Sequence, residues 1–302
     1  MGTLEFNEEA ARRLEILYST ADVRGQREEA LRQLRLRPGE SVIDIECGPG
    51  YLSESMAEAV SPGGRVLGLD ISKDILEFAR RRNANPSLSY RQGDAMALSE
   101  PDGSFDVAVS MQVLEYIPDA DLGMREMARV LKPGGRALVV ATDWDALVWH
   151  SENPPRMKQV LHAWERHCTD PHLPRTMISR LKAAGLSVGG VRGYPIINTR
   201  LGEDVYSDGI LRLIVDFVHK QDLVDQETLE SWSAEQRVMS DEGRYFFGTM
   251  RISSRLESRA SPRAPTPRPT TATVYRPSIP MTVSQFTKGC CGPALTIPVS
   301  WT

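Results

Sequence analysis

The residue types best suited to ligand chemistry lie in a short turn that follows an apolar run. The run contains Asp44, and the turn reads Glu-Cys-Gly-Pro-Gly from Glu46 to Gly50. Glycine lets the backbone approach a ligand closely, and a helix beginning at such a turn points N–H groups at an anionic group. Asp70 follows the next apolar run, 20 residues after Gly50, where an acidic side chain binds ribose hydroxyls. The pattern predicts a nucleotide-like cofactor.

Two cofactor classes compete for this pattern, a dinucleotide and S-adenosylmethionine. The dinucleotide fingerprint requires the spacing G-x-G-x-x-G, which residues 46–51 do not supply. Asp44 with Cys47-Gly48-Pro49-Gly50 is instead similar to motif I of the class I S-adenosylmethionine-dependent methyltransferases.

Later segments resemble further motifs of the same family, in the same order. They are Gly93-Asp94-Ala95, the strand motif at 105–110 with residues 111–116 after it, and the R-x-L-K-P-G-G turn at 129–135. The resemblance covers roughly residues 15–195. It is closest to the small-molecule methyltransferases that include the quinone and sterol enzymes.

The resemblance implies S-adenosyl-L-methionine as the cofactor and suggests roles for individual residues. Asp70 matches the family's ribose-binding acidic residue, and Asp94 matches the one that meets the adenine amino group. Tyr18 is expected to cover the cofactor, whereas Asp106 is expected to be structural. The expected cofactor-binding residues are Asp44, Glu46, Gly48, Gly50, Asp70, Ile71, Asp94, Ala95, Ser110 and Tyr18.

Glu46 departs from the family pattern, which usually has glycine at this position. A glutamate near the methionine end of the cofactor has several possible effects. It could fill the site or repel the cofactor's carboxylate, or it could turn outward or bind the amino group. This departure keeps open an alternative in which the fold binds a ligand, or steers a reaction such as a cyclisation, without methylating.

Methyl transfer from a sulfonium needs mainly proximity and orientation, and a general base helps when the acceptor must lose a proton. His150 and Asp143 are the candidate bases, because they follow the fifth predicted strand and ligands bind beyond the carboxyl ends of parallel strands. Nearby aromatic residues either line an apolar acceptor pocket or pack in the core. They are Trp144, Trp149, Trp164, Tyr206, Tyr245, Phe246 and Phe247.

Short apolar runs alternate with helical patterns from residue 41 onward, which predicts an α/β fold with a parallel sheet. By resemblance the fold is a Rossmann-like, seven-stranded sheet flanked by helices, with helical lid insertions and a disordered C-terminal tail. Strands are expected at 41–45, 65–69, 88–91, 105–110, 136–142, 186–191 and 245–252. Helices are expected at 6–34, 51–60, 73–82, 119–131, 175–184 and around 210–220 and 226–238.

These elements suggest three regions. Residues 1–40 form a helical cap and 41–255 the methyltransferase domain, with lid insertions at about 143–173 and 194–244. Residues 256–302 form the tail, since a Pro/Ser/Thr/Arg-rich run there cannot bury a core.

The composition of the chain limits the classes of partner and ligand that we expect it to bind. The 302 residues carry a net charge of −4, so a nucleic-acid partner is not favoured. The four cysteines are too scattered for a zinc site, and no metal site is expected. No apolar run is long enough to span a bilayer and no secretory signal is recognised, so we expect a cytoplasmic protein of open oligomeric state. The expected function is methyl transfer to an O, N or C atom of a small, apolar or aromatic metabolite.

Overall fold

The computed structural model describes residues 15–258, and an eight-stranded sheet lies at their centre. The strands are β1 (Ser41–Ile45), β2 (Arg65–Asp70), β3 (Leu88–Gln92), β4 (Phe105–Met111), β5 (Leu131–Thr142), β6 (Val148–Trp149), β7 (Leu186–Asn198) and β8 (Phe247–Ser258).

The sheet is parallel on one side and antiparallel on the other. Strands β3, β2, β1, β4 and β5 lie side by side in that order and run parallel. Strand β8 pairs antiparallel with β5 on one side and with β7 on the other. The two-residue strand β6 also pairs with β8, next to the end of β5. The order reverses at β1, which is where ligands bind in open α/β sheets.

Helices cover both faces of the sheet, and residues 15–19 are also helical. A short 3-10 turn, Trp144–Ala146, follows β5. The helices are α1 (Ala21–Leu34), α2 (Tyr51–Val60), α3 (Lys73–Arg82), α4 (Ala120–Val130), α5 (Pro154–Glu165), α6 (Pro174–Ala183), α7 (Tyr206–Lys220) and α8 (Gln226–Asp241).

Alternation along the central strands builds a core on each face, because successive strand side chains point to opposite sides. Val42 packs with the apolar faces of α1 and α2, including Leu34 and Met56. Its neighbour Ile43 packs on the other face, with the methionines and leucines of α4 and α6. The strands between them are therefore buried on both sides, which holds their carboxyl ends in a fixed arrangement.

The predicted lid segments have a core of their own. Trp149, Trp164 and Trp232 pack with residues of α7 and with Phe247 in one buried cluster. The rings meet edge to face, for example Trp149 and Trp232 with centroids 5.3 Å apart, a geometry that aromatic pairs prefer. Of the aromatic residues weighed as pocket or core, this cluster holds all except Phe246, whose exposed fraction is 40%.

The structure differs from the sequence expectations at several boundaries. The predicted helix over 6–34 breaks at Thr20, whose side chain accepts the N–H of Val23 and caps α1. Its start, residues 6–14, lies outside the described residues. Strand β7 continues from the predicted end at 191 to Asn198, because β8 pairs with it over that length. Residues 194–198 of the second predicted lid segment therefore belong to β7.

Two further differences concern the end of the sheet. The short strand β6 was not expected, and it raises the strand number from seven to eight. Strand β8 runs to Ser258, so the predicted domain boundary at 255 falls inside a strand. The tail beyond it lies outside the described residues, and the division into regions stays a prediction. None of the helices within 15–258 is long and apolar enough to cross a membrane.

Candidate active site

The glycine-rich turn between β1 and α2 forms the floor of the candidate site. Gly48 and Gly50 have φ angles of 55° and 80°, in the left-handed region that glycine adopts without steric cost. A Cβ at Gly48 would meet nothing within 4 Å, so the turn is open on that side. No side chain of the described residues caps α2 at Gly50. The N–H groups of its first turn are thus available to a ligand.

Asp44 lies beneath this turn and ties it to the following helix. Its exposed fraction is 2%, and the Ser53 hydroxyl of α2 donates to its Oδ2 at 2.5 Å. Burial raises the pKa of Asp44 to about 7, and the nearby charge of Asp70 acts in the same direction. This geometry suits the expected role of Asp44 in ordering the turn.

Asp70 ends β2 and joins two loops. Its Oδ2 accepts the N–H of Gly48 at 2.9 Å, and its Oδ1 accepts the N–H of Ser72 at 2.9 Å. Each carboxylate oxygen can accept a second hydrogen bond, so Asp70 can still receive ribose hydroxyls. Ile71 beside it is 60% exposed and offers an apolar surface next to that position.

Asp94 and Ala95 follow β3, the parallel neighbour of β2, and so lie at the same edge of the sheet as Asp70. Asp94 Oδ1 accepts the N–H of Met96 at 2.8 Å, which fixes the bend of the loop. Ala95 is buried, with an exposed fraction of 2%. The structure therefore brings the glycine turn, Asp70 and Asp94 together, as their spacing predicted.

Glu46 crosses the space between these loops. Its carboxylate accepts the N–H of Ile71 at 3.2 Å and also the N–H of Ala95. Burial raises the pKa of Glu46 to about 8, and Asp70 and Asp94 add to the effect. Its φ of 56° is left-handed, a conformation that costs a glutamate about 1–2 kcal/mol. Glu46 thus uses backbone donors that flank the predicted cofactor position.

Tyr18, the residue expected to cover the cofactor, packs against the start of α2. Its ring meets that of Tyr51, the first residue of α2, at a centroid distance of 5.9 Å. Arg27 donates to the backbone carbonyl of Tyr18 at 2.7 Å. Burial raises the pKa of Tyr18 to about 12, and both Asp70 and Arg251 act on it. Tyr18 therefore stands between the cofactor side of the site and a second group of polar residues.

That second group, which we call the arginine cluster, consists of Gln112, Thr142, Tyr206 and Arg251. The Arg251 guanidinium donates to Gln112 Oε1, Thr142 Oγ1 and the Tyr206 hydroxyl. Gln112 and Thr142 lie at the carboxyl ends of β4 and β5. Sequence reasoning missed Gln112, Thr142 and Arg251. The available signal was a charged residue inside the predicted strand 245–252.

Two buried polar residues lie at the same strand ends. Ser110 is 1% exposed, and its hydroxyl has no hydrogen-bond partner within residues 15–258. Glu115 is fully buried, and its Oε1 accepts the N–H of Thr142 at 3.2 Å. Burial raises the pKa of Glu115 to about 7. The carboxyl ends of β4 and β5 are therefore polar although they are shielded from water.

The two candidate bases lie in different surroundings. Asp143 accepts from Arg175 Nε at 2.6 Å and from His172 Nδ1 at 3.2 Å, so its carboxylate is already held by two other side chains. His150 is exposed and lines a cavity of about 540 Å³ with Trp144 and Trp149. The structure does not bring His150 and Asp143 into one hydrogen-bonded group, and both stay predictions as catalytic residues.

Comparison with known proteins identifies the domain. Residues 42–135 match the family model of the methyltransferase domain. This range begins at β1, includes the glycine turn, Asp70 and Asp94, and ends in the turn within β5. Residues 42–135 of this chain are a methyltransferase domain, of the class I S-adenosylmethionine-dependent type that its motifs resemble. The cofactor of this family is S-adenosyl-L-methionine.

Curated relatives resemble the chain over part of its length. An uncharacterised 37.1 kDa protein of a Streptomyces fradiae transposon is 39% identical over 168 residues, which is 55% of this chain and 48% of that protein. The demethylmenaquinone methyltransferase of Lactobacillus johnsonii is 35% identical over 130 residues, 42% of this chain and 53% of that enzyme. The chain spans about half the length of the curated relatives it matches.

Solved structures share the fold of the methyltransferase domain. A candidate methyltransferase of Bacillus halodurans has a TM-score of 0.57 at 20% identity, with 78% of this chain and all of that chain covered. The [4+2]-cyclase SpnF has a TM-score of 0.51 at 19% identity, with 79% and 82% covered. At these identities the likeness concerns the fold alone.

The residues at the site fit S-adenosylmethionine, with one side chain in the way. The open side of Gly48 leaves room for a ligand, and Asp70 retains acceptor capacity for a ribose. The unpartnered Ser110 hydroxyl lies at the end of β4. Glu46 is the exception, because its carboxylate accepts from the N–H groups of Ile71 and Ala95. The half-exposed Glu46 side chain has three rotatable bonds, so it can turn toward water and release them.

Proposed function

We propose that the methyltransferase domain transfers the methyl group of S-adenosylmethionine to an O, N or C atom of a small apolar or aromatic acceptor. The observation that carries this proposal is the position of Asp70. Gly48 and Ser72 orient its carboxylate beside the open glycine turn. An acidic side chain at that place binds ribose hydroxyls in this fold class.

Each part of the site has a task in this reaction. The cofactor supplies an electrophilic methyl group on a sulfonium. Asp70 and Asp94 hold the nucleoside, and the N–H groups at the start of α2 bind the methionine end. Tyr18 excludes water from above, and the lid residues hold the acceptor. Most of the rate then comes from proximity and orientation, and His150 remains the proposed base for acceptors that lose a proton.

The acceptor class is supported by the lid and by the relatives. Trp144 and Trp149 line the 540 Å³ cavity together with polar residues that include Lys158 and Glu165, and ligand sites combine apolar walls with a few polar groups. The Lactobacillus johnsonii relative acts, by its name, on demethylmenaquinone. We therefore propose a small aromatic metabolite as the acceptor and the cytoplasm as the location.

Titration of the purified protein with S-adenosylmethionine by calorimetry tests the proposal, with S-adenosylhomocysteine and NAD as comparisons. We expect micromolar binding of the first two ligands and none of NAD. An Asp70→Ala variant should lose at least tenfold in affinity, because it loses the ribose acceptor. Binding of NAD, or an unchanged affinity in Asp70→Ala, would contradict the proposal.

A second candidate is a methyltransferase-fold protein that binds its ligand or steers a reaction without methylating. The position of Glu46 favours it, since its carboxylate accepts the backbone N–H groups of Ile71 and Ala95. A Glu46 side chain that stayed in place would occupy backbone donors beside the position proposed for the nucleoside. Absence of S-adenosylmethionine binding by the wild-type protein, with recovery in Glu46→Gly, would support this candidate.

A further inference from the structure

Arg251 is a buried cation whose hydrogen-bond partners are all neutral. It lies on β8 opposite Thr142 of β5, and its exposed fraction is 5%. Its two terminal nitrogens donate to Gln112, Thr142 and Tyr206. The Nε–H of Arg251 has no partner among the residues that the structure describes. Arg251 therefore lies in the protein interior with one N–H group, the Nε–H, available to a further acceptor.

This burial is costly without an anion. A buried, unpaired charge costs several kcal/mol, and the ion pairs found within residues 15–258 do not include Arg251. Glu115 is close enough for Arg251 to lower its pKa, although burial outweighs this effect. However, Glu115 Oε1 accepts the N–H of Thr142, and its Oε2 has no partner in the described part of the chain. Glu115 thus makes no hydrogen bond with the guanidinium.

The arginine cluster lies where an acceptor must bind. Ligands of parallel sheets bind beyond the carboxyl ends of the strands, and Gln112 and Thr142 lie at those ends of β4 and β5. Tyr18 experiences the charges of both Asp70 and Arg251, so the cluster adjoins the cofactor side of the site. Trp144 also lines the cavity of about 540 Å³. Its ring centroid lies 5.8 Å from the guanidinium carbon of Arg251.

We propose that Arg251 is a specificity-determining residue that binds a carboxylate of the acceptor. A guanidinium matches a carboxylate with two parallel hydrogen bonds. The Gln112 amide adds a donor, since its Nε2 is buried without a partner among residues 15–258. The carboxylate replaces the neutral hydroxyls of Thr142 and Tyr206 as the acceptor of the guanidinium N–H groups. The acceptor class becomes a small aromatic or apolar carboxylate, and this inference rests on the proposed function.

Binding of benzoate and benzamide tests the proposal, because the two probes have the same shape and differ in charge. Each probe is titrated by calorimetry into protein saturated with S-adenosylhomocysteine. We expect benzoate to bind at millimolar concentration and roughly tenfold or more tighter than benzamide. Arg251→Gln should abolish this preference, and Arg251→Lys should retain part of it. Equal affinities of the two probes, or no benzoate binding by the wild-type protein, would overturn the proposal.

Matched variants separate recognition from folding. Arg255→Gln removes the same charge four residues along β8 and should leave the benzoate preference intact. Should Arg251→Gln alone fail to fold, the double variant Glu115→Gln/Arg251→Gln removes both buried charges together. A folded variant without Arg251 that still prefers benzoate would show that the arginine only balances Glu115.

Two further titrations test whether Arg251 binds the carboxylate of the acceptor or that of the cofactor. S-adenosylhomocysteine has a carboxylate and 5′-methylthioadenosine lacks one, and Arg251→Gln should weaken the binding of neither. Selective loss of S-adenosylhomocysteine affinity would assign Arg251 to the cofactor and overturn its role in acceptor recognition. If neither nucleoside binds the wild-type protein, the proposed function fails, while benzoate titration of the free protein still tests Arg251.

Discussion

At the level of single residues, Glu46 is the position at which this methyltransferase domain departs from the family pattern. Where the family usually has glycine, Glu46 adopts a left-handed φ of 56° and accepts backbone hydrogen bonds from two loops. Its side chain therefore links Ile71 to Ala95 across the position proposed for the nucleoside. A nucleoside that took these N–H groups would break the hydrogen bonds of Glu46, and moving that side chain would lower the net free energy of binding.

Glu46→Gly should raise the affinity for S-adenosylhomocysteine about tenfold, a gain of about 1.4 kcal/mol. The variant frees the N–H groups of Ile71 and Ala95, which the glutamate carboxylate accepts in the wild-type protein. Calorimetry on the variant and the wild-type protein measures the change.

Glu46→Gln is the matched control, because it keeps the size and removes the charge. Affinity that rises in Glu46→Gly alone would mean that the side chain obstructs by its volume. A similar rise in both variants would point to charge repulsion. Unchanged affinity in both would show that Glu46 is no obstacle.

Asp44 gives the domain a pH-dependent stability. Burial raises its pKa from the ordinary 3.8 to about 7, so between these values the folded protein holds a proton that the unfolded chain has lost. The free energy of unfolding should therefore fall as pH rises from about 4 to 7, by up to 1.4 kcal/mol for each pKa unit of the shift. Asp44→Asn, which cannot titrate, should lose this part of the decline.

Urea unfolding at pH 5 and pH 8 measures the effect in both proteins. Asp102→Asn serves as the control, since the side chain of Asp102 is 81% exposed. The prediction fails if the wild-type protein and Asp44→Asn lose the same free energy between the two pH values.

At the level of elements, helix α2 depends on the left-handed turn that precedes it. Gly50, its N-cap, has a φ of 80°, and Gly134 in the turn within β5 has a φ of 76°. A Cβ at Gly50 would collide with the Tyr90 hydroxyl, whereas a Cβ at Gly134 would meet nothing within 4 Å. The two glycines therefore share the same backbone strain and differ in the space around them.

Gly50→Ala should lower the free energy of unfolding more than Gly134→Ala does. A left-handed alanine destabilises both variants by about 1–2 kcal/mol. Overpacking against Tyr90 destabilises Gly50→Ala by roughly 1–3 kcal/mol more. Urea denaturation of the two variants gives the difference. Equal losses would mean that Tyr90 moves aside without cost.

The central elements of the fold were predictable because their signals are local. Helix α3 covers the predicted residues 73–82, and the Ser72 side chain caps it by accepting the N–H of Ile75; β1 and α2 also lie at the predicted residues. The length of β7 was not predictable, because residues 192–198 are a strand through their pairing with β8, about 55 residues later.

The candidate site likewise has one part that the sequence predicts and another that it does not. The glycine turn, Asp70 and Asp94 follow consecutive strands of one sheet, so their spacing places them together. The arginine cluster combines residues from distant parts of the chain, and Gln112 and Arg251 are 139 positions apart. No local pattern links such residues, and the position of the Glu46 side chain likewise depends on two loops that its own sequence does not specify.

At the level of the whole molecule, the end of β8 decides where the domain can be cut. Leu256 is fully buried and pairs with Ala137 of β5 and Val188 of β7. A chain that stops after Ser258 should keep its melting temperature and its affinity for S-adenosylhomocysteine, since the composition of residues 259–302 predicts no packed core.

A chain that stops after Ser254 removes Leu256 and should lose roughly 2–5 kcal/mol of stability, the cost of emptying a buried leucine site. Thermal and urea unfolding compare the two truncations with the full chain. A large loss in the chain that ends at Ser258 would show that residues 259–302 contribute to folding, contrary to the prediction from their composition.

The position of β8 between β5 and β7 also bears on how the protein is made. A ribosome releases the chain from its N-terminus at about 5–20 residues per second, so β5 and β7 emerge before the strand that joins them. Until β8 arrives, each presents an unpaired edge that can capture a strand of another chain. Arg251 arrives with β8, and the acceptor side of the site is therefore the last part to be assembled during synthesis.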